Sequence, residues 1–395
     1  MAEEAALVVR EDTVGNIYGR WEGSARDETS ASSPLGSVLT GSHCDAIPLA
    51  GAYDGTLGVI GAIEALAALR RAGFRPRRPL EVVMFTSEEP TRFGLSCSGS
   101  RAMAGALEPD ALDALRDVNG TGYLEAARRA GYGAATTREM LRGALVAPGA
   151  VAFFLELHIE QGPELEAEDL DIGVVTAIAA PAALEVKFGG PGGHAGALLM
   201  PRRHDAGLAG AELSLAVERR VLATKSIDTV GTTGKFEVSP GAVNSVPREA
   251  VLGIDVRDTD GKRRDAVVAG VLADAKRIAA RRGVSLDTRI ANQDPPASCS
   301  DRVQSAAQAA SDALGLKSKR MVSRAYHDSL FMARVAPTGM VFVPCRGGWS
   351  HRPDEFASQG AIGRGVQVLA LAMAELAGGE FSSGGGGGGG GKGEL

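Results

Sequence analysis

Residues 37–55 read SVLTGSHCDAIPLAGAYDG, and this stretch carries the clearest signal for the fold. Its opening residues are mostly apolar and predict a short buried β-strand. Residues 56–71 follow with apolar side chains at roughly helical spacing, which predicts an amphipathic helix. His43, Asp45 and Asp54 lie between the two elements, beyond the end of the strand. A strand, a polar loop and a helix in this order indicate an α/β layer fold.

Three further apolar strands are each followed by side chains that bind metals. The strands are predicted at residues 80–86, 151–157 and 340–343. The side chains that follow them are Glu88 and Glu89, His158, and His351. Strands that alternate with helices predict a mainly parallel sheet, and ligands bind beyond the carboxyl ends of such strands. We therefore expect these side chains to meet at one edge of the sheet.

The collected side chains are imidazoles and carboxylates, and no thiolate is required. Such ligands suit Zn, Mn, Co or Ni, and two ions can share a bridging carboxylate. Taken singly, a histidine at a strand end is typical of a hydrogen-bonded structural residue, and a Glu-Glu pair is typical of a solvated turn. Because such side chains recur after four strands, a metal site is an equally weighted hypothesis.

The middle of the chain changes pattern and predicts a separate, inserted domain. Periodicity over residues 182–293 gives the order strand, helix, strand, strand, helix, strand. That βαββαβ order is the ferredoxin-like pattern. The predicted catalytic, metal-binding domain is discontinuous and comprises residues 1–181 and 294–381. The Pro295-Pro296 pair marks the return to it.

The amino-acid composition argues against several classes of binding partner. The chain has 395 residues with 42 basic and 48 acidic side chains, which gives a net charge of −6. This mild acidity argues against a surface for nucleic acid or anionic membranes, since both need a clustered positive field. The four cysteines include no CxxC pair, which argues against a cysteine-based zinc site. The sequence contains no uninterrupted apolar run of about 18 residues, so no membrane-spanning helix is predicted.

Four sequence blocks resemble the M20 family of metal-dependent amidohydrolases and peptidases. They read SHCDAIPLAGAYDG, FTSEEPTRFG, LELHIEQGP and GGPGGHAG. The block SRAYHDSLFMA resembles in addition the plant ureidoglycolate amidohydrolase branch, whose relatives are allantoate amidohydrolases and N-carbamoyl-L-amino-acid hydrolases. The resemblance covers residues 12–377 and implies a catalytic α/β domain with an inserted lid and dimerisation domain.

The resemblance implies two divalent metal ions per subunit, with Mn²⁺ expected and Zn²⁺, Co²⁺ or Ni²⁺ as alternatives. His43 and His158 would bind one ion each, with Asp54 bridging the two. Glu89 would join the ion of His43 or its neighbour, and His351 would bind the second ion. Such a pair lowers the pKa of a bound water and stabilises a developing oxyanion.

Three residues have implied catalytic roles without binding metal. Glu88 would be the general base that takes a proton from the bridging water and passes it to the leaving nitrogen. Asp45, two residues from His43, would orient that imidazole. His194, in the glycine-rich sequence GGHAG, would polarise the substrate carbonyl as an oxyanion donor.

The resemblance also implies a set of substrate contacts, namely Gln161, His194, Asn244, Arg257 and His327. Arg257 can grip a carboxylate with two hydrogen bonds. A surface salt bridge between Arg257 and Asp255 or Asp258 is the alternative. All of these contacts would serve a small ureide that carries a carboxylate.

The inserted domain is implied to form a homodimer in which His194 and Asn244 reach the site of the other subunit. Arg202, Arg203 and His204 follow the glycine-rich loop directly. We interpret these three residues as a solvated lead-in to the next helix. A role in steering an anionic substrate is the alternative.

The implied function is hydrolysis of the ureido C–N bond of (S)-ureidoglycolate in purine and allantoin catabolism, giving glyoxylate, ammonia and CO₂. Allantoate or an N-carbamoyl-L-amino acid is the alternative substrate, because each also combines a ureido group with a carboxylate. A different class of function is a non-catalytic homologue that only binds ureides. An aminopeptidase would share the metal ligands but would cleave dipeptides.

The two chain ends bear on localisation. The resemblance implies the endoplasmic reticulum, whereas the acidic start MAEEAALVVRED is not typical of a signal peptide, which makes the cytoplasm the alternative. Residues 382–395 read SSGGGGGGGGKGEL and predict a disordered tail. Its last four residues resemble a KDEL retention signal with Gly in place of Asp, and a chance match is the favoured interpretation.

Overall fold

The computed structural model describes residues 5–25 and 35–381 of the chain. The strands there are β1 (Val8–Glu11), β2 (Ile17–Trp21), β3 (Ser37–His43), β4 (Phe74–Pro76), β5 (Leu80–Phe85), β6 (Val151–Ile159), β7 (Ile172–Ile178), β8 (Ala180–Gly189), β9 (Gly193–His194), β10 (Val230–Ser239), β11 (Ser245–Val246), β12 (Glu249–Asp258), β13 (Ser285–Gln293), β14 (Ala297–Ser298), β15 (Ser318–Ser323), β16 (Thr338–Val343) and β17 (Gly379–Phe381). The predicted glycine-rich tail lies outside the described residues.

The helices within the same ranges are α1 (Thr56–Arg71), α2 (Ser98–Met103), α3 (Pro109–Ala114), α4 (Tyr123–Arg129), α5 (Thr137–Ala144), α6 (Glu164–Ala167), α7 (Ala206–Ala223), α8 (Gly261–Arg282), α9 (Asp301–Ala313), α10 (Ser329–Met332) and α11 (Gln359–Ala377). Two 3₁₀ turns, Met200–Arg202 and Arg346–Gly348, complete the described elements. Strands and helices thus alternate along most of the chain.

The chain divides into two compact units. The first contains residues up to Thr176, then Ser298–Ser323, then the residues from His327 onward. The second contains Ala177–Ala297 and also Arg324–Tyr326. The inserted domain predicted from the sequence, residues 182–293, falls inside the second unit. The short return of the chain at Arg324–Tyr326 carries no periodic signal and was not predicted.

The first unit is built on a nine-stranded sheet with the order β1-β2-β5-β3-β6-β16-β7-β14, and β15 also pairs with β7. The four central strands run parallel, from β5 through β3 and β6 to β16. Antiparallel pairs flank them, β1 with β2, β2 with β5, and β7 with β16. The predicted α/β fold with a mainly parallel sheet is confirmed, and the parallel strands form its centre.

The register of the central strands aligns their carboxyl ends. His43 at the end of β3 is paired with Phe85 at the end of β5, and Ile159 at the end of β6 with Val343 at the end of β16. The chain leaves β3 toward β5 on one side and leaves β6 toward β16 on the other. The crevice between β3 and β6 is therefore the switch point of the sheet, where ligands bind in open α/β folds.

Helices α1, α9 and α11 cover the sheet of the first unit with a shared apolar core. Leu66, Leu69, Val368 and Met373 are all at most 1% exposed. Burial of each such side chain contributes about 1.5–3 kcal/mol. Helix α11 is long and apolar enough to cross a membrane by length and composition alone. Its apolar side chains instead pack against α1 and α9, as in the core helix of a globular unit.

The second unit has a four-stranded antiparallel sheet with the order β10-β12-β8-β13. Alternate residues of β12 are buried, because one face of the sheet packs against α7 and α8. The order of its long elements is βαββαβ. Asp205 begins α7 by accepting a hydrogen bond from the Leu208 amide at 3.0 Å, which satisfies one free N–H of the first turn.

Candidate metal centre

Asp54 lies at the centre of two groups of ligand atoms, one on each carboxylate oxygen. Its Oδ1 is 3.1 Å from His158 Nε2 and 3.6 Å from His43 Nε2. Its Oδ2 is 3.0 Å from His351 Nε2, and that nitrogen is 3.4 Å from Glu89 Oε1. In each group the ligand atoms lie within 4.8 Å of one another. The arrangement can hold two cations with Asp54 between them.

The imidazoles of the first group are oriented by backbone carbonyls. His43 Nδ1 lies 2.9 Å from the carbonyl oxygen of Asp45, and His158 Nδ1 lies 2.8 Å from that of Ile159. Because a carbonyl only accepts, each Nδ1 must carry the proton. Each Nε2 can then offer its lone pair to a divalent ion placed between it and Asp54. The donor set therefore fits the two predicted ions.

The grouping differs from the expectation that His43 and His158 bind one ion each. Both lie on the Oδ1 side of Asp54, and Glu89 lies with His351 on the Oδ2 side. The reason is topological: β3 and β6 are adjacent parallel strands, so the residues at their carboxyl ends are neighbours. Sequence order alone does not reveal which strands are adjacent.

The Asp45 carboxylate orients a loop rather than the His43 imidazole. Its Oδ1 accepts a hydrogen bond from the Glu88 amide at 3.1 Å, and its Oδ2 accepts one from the Glu89 amide at 3.0 Å. The carboxylate itself is 3.6 Å from His43 Nδ1, farther than the backbone carbonyl of Asp45. Asp45 thus positions the proposed base and a ligand together.

Glu355 holds the loop that carries Asp54, a role that was not predicted from the sequence. Its Oε1 accepts hydrogen bonds from the amides of Tyr53 and Asp54 at 2.9 and 3.0 Å. Ser350 bridges the two carboxylates, 2.7 Å from Glu355 Oε2 and 3.2 Å from Asp54 Oδ2. The sequence shows only an acidic residue four positions after His351, within HRPDEF.

Gly55 permits the close approach of the Asp54 loop to His43. Its φ is 65°, in the left-handed region, and a Cβ there would lie 2.4 Å from the His43 ring. Any other residue would displace the imidazole. This explains why a glycine follows the bridging aspartate.

Protons and cations compete for the atoms of this cluster. Burial raises the pKa of Asp54, but hydrogen bonds from His158, His351 and His43 outweigh it and hold the pKa below its ordinary value. Burial lowers the pKa values of His43 and His158, and the hydrogen bonds with Asp54 outweigh it and raise both. The same hydrogen bond raises the pKa of His351. Binding a divalent ion must therefore release protons.

Glu88 is buried beside the first group and is held by a cysteine. The Cys97 thiol donates to Glu88 Oε1 at 3.1 Å, while Glu88 Oε2 faces His43 Nε2 at 3.8 Å. Burial raises the pKa of Glu88 to about 7. A carboxyl that titrates near neutrality can both accept and return a proton. Neither Cys97 nor this contact was anticipated from the sequence.

Gln161 and His327, both expected to contact substrate, lie in different surroundings. Gln161 Nε2 donates to Asp54 Oδ2 at 2.8 Å, and its Oε1 is buried with no hydrogen-bond partner among the described residues. His327 is 3% exposed, packs its ring 4.6 Å from that of His158, and has its Nε2 2.8 Å from Ser323 Oγ. In this structure His327 therefore packs against the metal-ligand candidate His158.

The remaining predicted residues belong to the second unit. His194 pairs with Ser245 between the short strands β9 and β11, and the Asn244 carbonyl accepts from the Ala195 amide at 2.9 Å. Arg257 donates to both carboxylate oxygens of Asp255, at 2.9 and 3.2 Å. A contact between Arg257 and a substrate carboxylate stays a prediction. The alternative salt bridge with Asp255 is what forms.

Comparison with known proteins places the chain in a family. The sequence profile of Peptidase family M20/M25/M40 matches residues 39–375, a range that includes all the metal-ligand candidates. Crystal structures of AtUAH in complex with glyoxylate and with (S)-hydroxyglycine match with TM-scores of 0.86 and 0.85. Both are 52% identical in sequence and cover 95% of this chain and 88% of that chain.

Curated relatives agree with this placement. The ureidoglycolate hydrolase of Oryza sativa subsp. japonica is 54% identical over 375 residues, which cover 94% of this chain and 76% of that protein. The N-carbamoyl-L-amino acid amidohydrolase of Geobacillus stearothermophilus is 38% identical over 377 residues, which cover 95% and 89%. The family and the two ligand groups together support a dinuclear metal site. The resemblance seen in the sequence blocks is confirmed, and the chain belongs to Peptidase family M20/M25/M40.

Proposed function

We propose that the chain is a metal-dependent hydrolase that cleaves the ureido C–N bond of (S)-ureidoglycolate in purine and ureide catabolism. One water is consumed overall, and glyoxylate, CO₂ and two molecules of ammonia are released. The observation that carries the proposal is the Asp54-centred pair of ligand groups beside Glu88, in a chain 54% identical to a ureidoglycolate hydrolase. Glyoxylate, bound in one AtUAH structure, is the expected carbon product.

His43, His158 and Asp54 would hold one divalent ion, and Asp54, Glu89 and His351 the other. Two such ions supply a water that ionises near neutral pH and a positive charge for the substrate oxygen. We propose Mn²⁺ in both positions, although imidazole and carboxylate ligands also accept Zn²⁺, Co²⁺ or Ni²⁺. Metal analysis of the purified chain after dialysis against each ion separates these choices.

Glu88 would take the proton of the attacking water on Oε2 and return it to the leaving nitrogen. Two features support this role: the Cys97 hydrogen bond occupies Oε1, and the pKa of about 7 is matched to proton transfer at neutral pH. Asp45 would assist as a positioning residue through its hydrogen bond to the Glu88 amide.

Three residues would bind the ureido group. The partnerless Oε1 of Gln161 would accept a substrate N–H, since an unsatisfied buried oxygen is costly and gains most from a donor. His194 would donate to the ureido oxygen as it gains negative charge. Asn244, which adjoins the same loop, would contact the substrate from the second unit.

A homodimer through the second unit is also proposed. Strand β10 lies at the end of its sheet, where its outer edge is unpaired within the described chain. Phe236 on β10 is 43% exposed, and Leu215 and Leu222 on α7 are 58% and 70% exposed. An open strand edge beside exposed apolar side chains favours association with a second copy. Sedimentation of the wild type and of Leu222→Glu tests this proposal, which predicts a dimer that weakens in the variant.

The alternatives differ in what they predict. N-carbamoyl-L-amino acid hydrolysis has support from the Geobacillus relative. Allantoate hydrolysis would use the same metal centre. A ureide-binding homologue would retain ligand binding without turnover. Localisation in the endoplasmic reticulum stays a prediction, which fractionation of cells that express the full-length protein tests.

The deciding experiment measures ammonia and glyoxylate release from (S)-ureidoglycolate by the Mn²⁺-loaded chain. Allantoate, N-carbamoyl-L-amino acids and a dipeptide are assayed in parallel, and a chelator-treated sample is the control. The proposal predicts the highest kcat/KM for (S)-ureidoglycolate and loss of turnover with the chelator. Faster turnover of another substrate, or activity that survives removal of the metal, would contradict it.

A further inference from the structure

The loop that carries His194 is shaped by glycines and closed by backbone contacts. Gly192 and Gly193 have φ values of 67° and 149°, which favour glycine over residues with a Cβ. A Cβ on Gly193 would also lie 3.0 Å from the Leu198 side chain. Beyond this turn the Leu198 amide donates to the His194 carbonyl at 3.1 Å. Residues 194–198 therefore form a tight loop around the imidazole.

Two amides of this loop fix the tautomer of His194. The Gly196 and Ala197 amides both donate to His194 Nδ1, at 3.1 and 3.2 Å. A nitrogen that accepts two hydrogen bonds carries no proton, so the neutral imidazole has its proton on Nε2. The ring is exposed, and Nε2 is thus presented as a single N–H donor. An oxyanion donor needs that proton in place before the reaction starts.

Arg203 holds the backbone of the same loop. Its Nε donates to the Leu198 carbonyl at 2.9 Å, and its NH2 group donates to the Ala195 carbonyl. The guanidinium thus spans both ends of the segment that contains Gly196 and Ala197. Arg203 is half-buried and forms no ion pair with any described carboxylate, so its charge is used on these two carbonyls.

We infer that Arg203 is a positioning residue, which clamps residues 195–198 so that their amides keep His194 in the Nε2–H form. The inference rests on the proposed function only for the identity of the acceptor, the ureido oxygen of the substrate. It replaces the earlier interpretation of Arg203 as a solvated lead-in to α7. A planar guanidinium can reach two carbonyls at once, whereas a lysine ammonium would hold one of them less firmly.

Kinetics of Arg203→Ala and Arg203→Lys test the clamp, with Arg202→Ala as the matched control. Arg202 is the adjacent arginine and is exposed. Loss of one oxyanion donor typically lowers kcat by about 10²–10³-fold, so loss of its support should lower kcat by about 10-fold. We expect little change in KM, an intermediate kcat for Arg203→Lys, and an unchanged kcat for Arg202→Ala. Equal kcat in Arg203→Ala and wild type would overturn the inference.

A spectroscopic readout tests the same inference without turnover. In protein labelled with ¹⁵N-histidine, the ring nitrogen shifts report which nitrogen carries the proton, and His194→Asn assigns the signals. Wild type and Arg202→Ala should show the Nε2–H tautomer, whereas Arg203→Ala should show a mixture of forms. An unchanged tautomer in Arg203→Ala would contradict the clamp. If wild type fails to hydrolyse ureidoglycolate, the proposed function fails while this measurement still decides the role of Arg203.

Discussion

The metal ligands of the first unit and His194 of the second are held in place by different interactions. The ligands lie at the aligned carboxyl ends of four parallel strands or on the loops that follow them, and all except His351 are at most 6% exposed. His194 sits on an exposed loop fixed by two amides and one guanidinium. A centre of the first kind should tolerate most local changes but not loss of a ligand. A loop of the second kind should respond gradually to any change in its support.

The largest effect should come from Asp54→Asn, because this one carboxylate serves both ligand groups. An amide keeps the shape but lacks the charge that two cations require. We expect the variant to lose metal and kcat to fall by at least about 10³-fold, equivalent to about 4 kcal/mol of barrier. Metal analysis and ammonia release measure the two quantities. Retention of two ions per subunit would break the assignment of Asp54 as the bridge.

Asp45→Asn should have the next largest effect, since only the carboxylate can accept from both loop amides. Changes to residues that orient metal ligands typically cost about 10–100-fold in affinity or activity. We expect a fall in kcat of that size with metal still bound. His43 should keep its orientation, because its partner is the backbone carbonyl of residue 45. Loss of the His43 orientation in a crystal structure of the variant would contradict this division of roles.

Metal affinity should rise with pH. The pKa values of His43, His158 and His351 are raised by their hydrogen bonds with Asp54, so protons occupy these sites to a higher pH than usual. Each displaced proton contributes up to about a tenfold change in affinity per pH unit below the pKa of its site. Calorimetric titration with Mn²⁺ at several pH values measures this trend. A pH-independent affinity would show that the imidazoles are not ligands.

Cys97→Ala should have the smallest effect, because a thiol is a weak donor and Glu88 remains buried without it. We expect a few-fold loss of kcat, with activity largely restored in Cys97→Ser, whose hydroxyl can donate to the same oxygen. Cys299→Ala is the matched control, since Cys299 is another buried cysteine, and its amide hydrogen-bonds to the Thr176 carbonyl. Equal losses in Cys97→Ala and Cys97→Ser would indicate a packing effect instead of support for Glu88.

Features that depend on local sequence were predicted well, whereas features that depend on contacts between distant residues were not. The order βαββαβ and the strands before His43, Glu88, His158 and His351 were visible because apolar periodicity is local. The pairing of His43 with His158 was not, since it depends on which strands are adjacent. The antiparallel pair β1–β2 at one edge of the first sheet was also missed, because these strands are only four and five residues long.

Residues that support the site were the hardest to predict. Glu355 binds the amide of Asp54, a residue 301 positions away in the sequence. Cys97 and Arg203 each act through one or two hydrogen bonds that no spacing rule encodes. Arg257 shows a related limit, because its residue type indicates a carboxylate partner but does not reveal the salt bridge with Asp255 on its own strand. The residue types indicated which side chains could bind a metal or a carboxylate. Which residues contact each other became clear only from the fold.

The most direct test compares kcat for (S)-ureidoglycolate between the wild type and Glu88→Gln, both loaded with Mn²⁺ and checked for equal metal content. General acid–base catalysis by a positioned side chain typically contributes about 10²–10⁴-fold. We predict a loss within that range in a variant that still binds two ions per subunit. Equal turnover by the two proteins would contradict the account of a metal-dependent hydrolase in which Glu88 moves the proton.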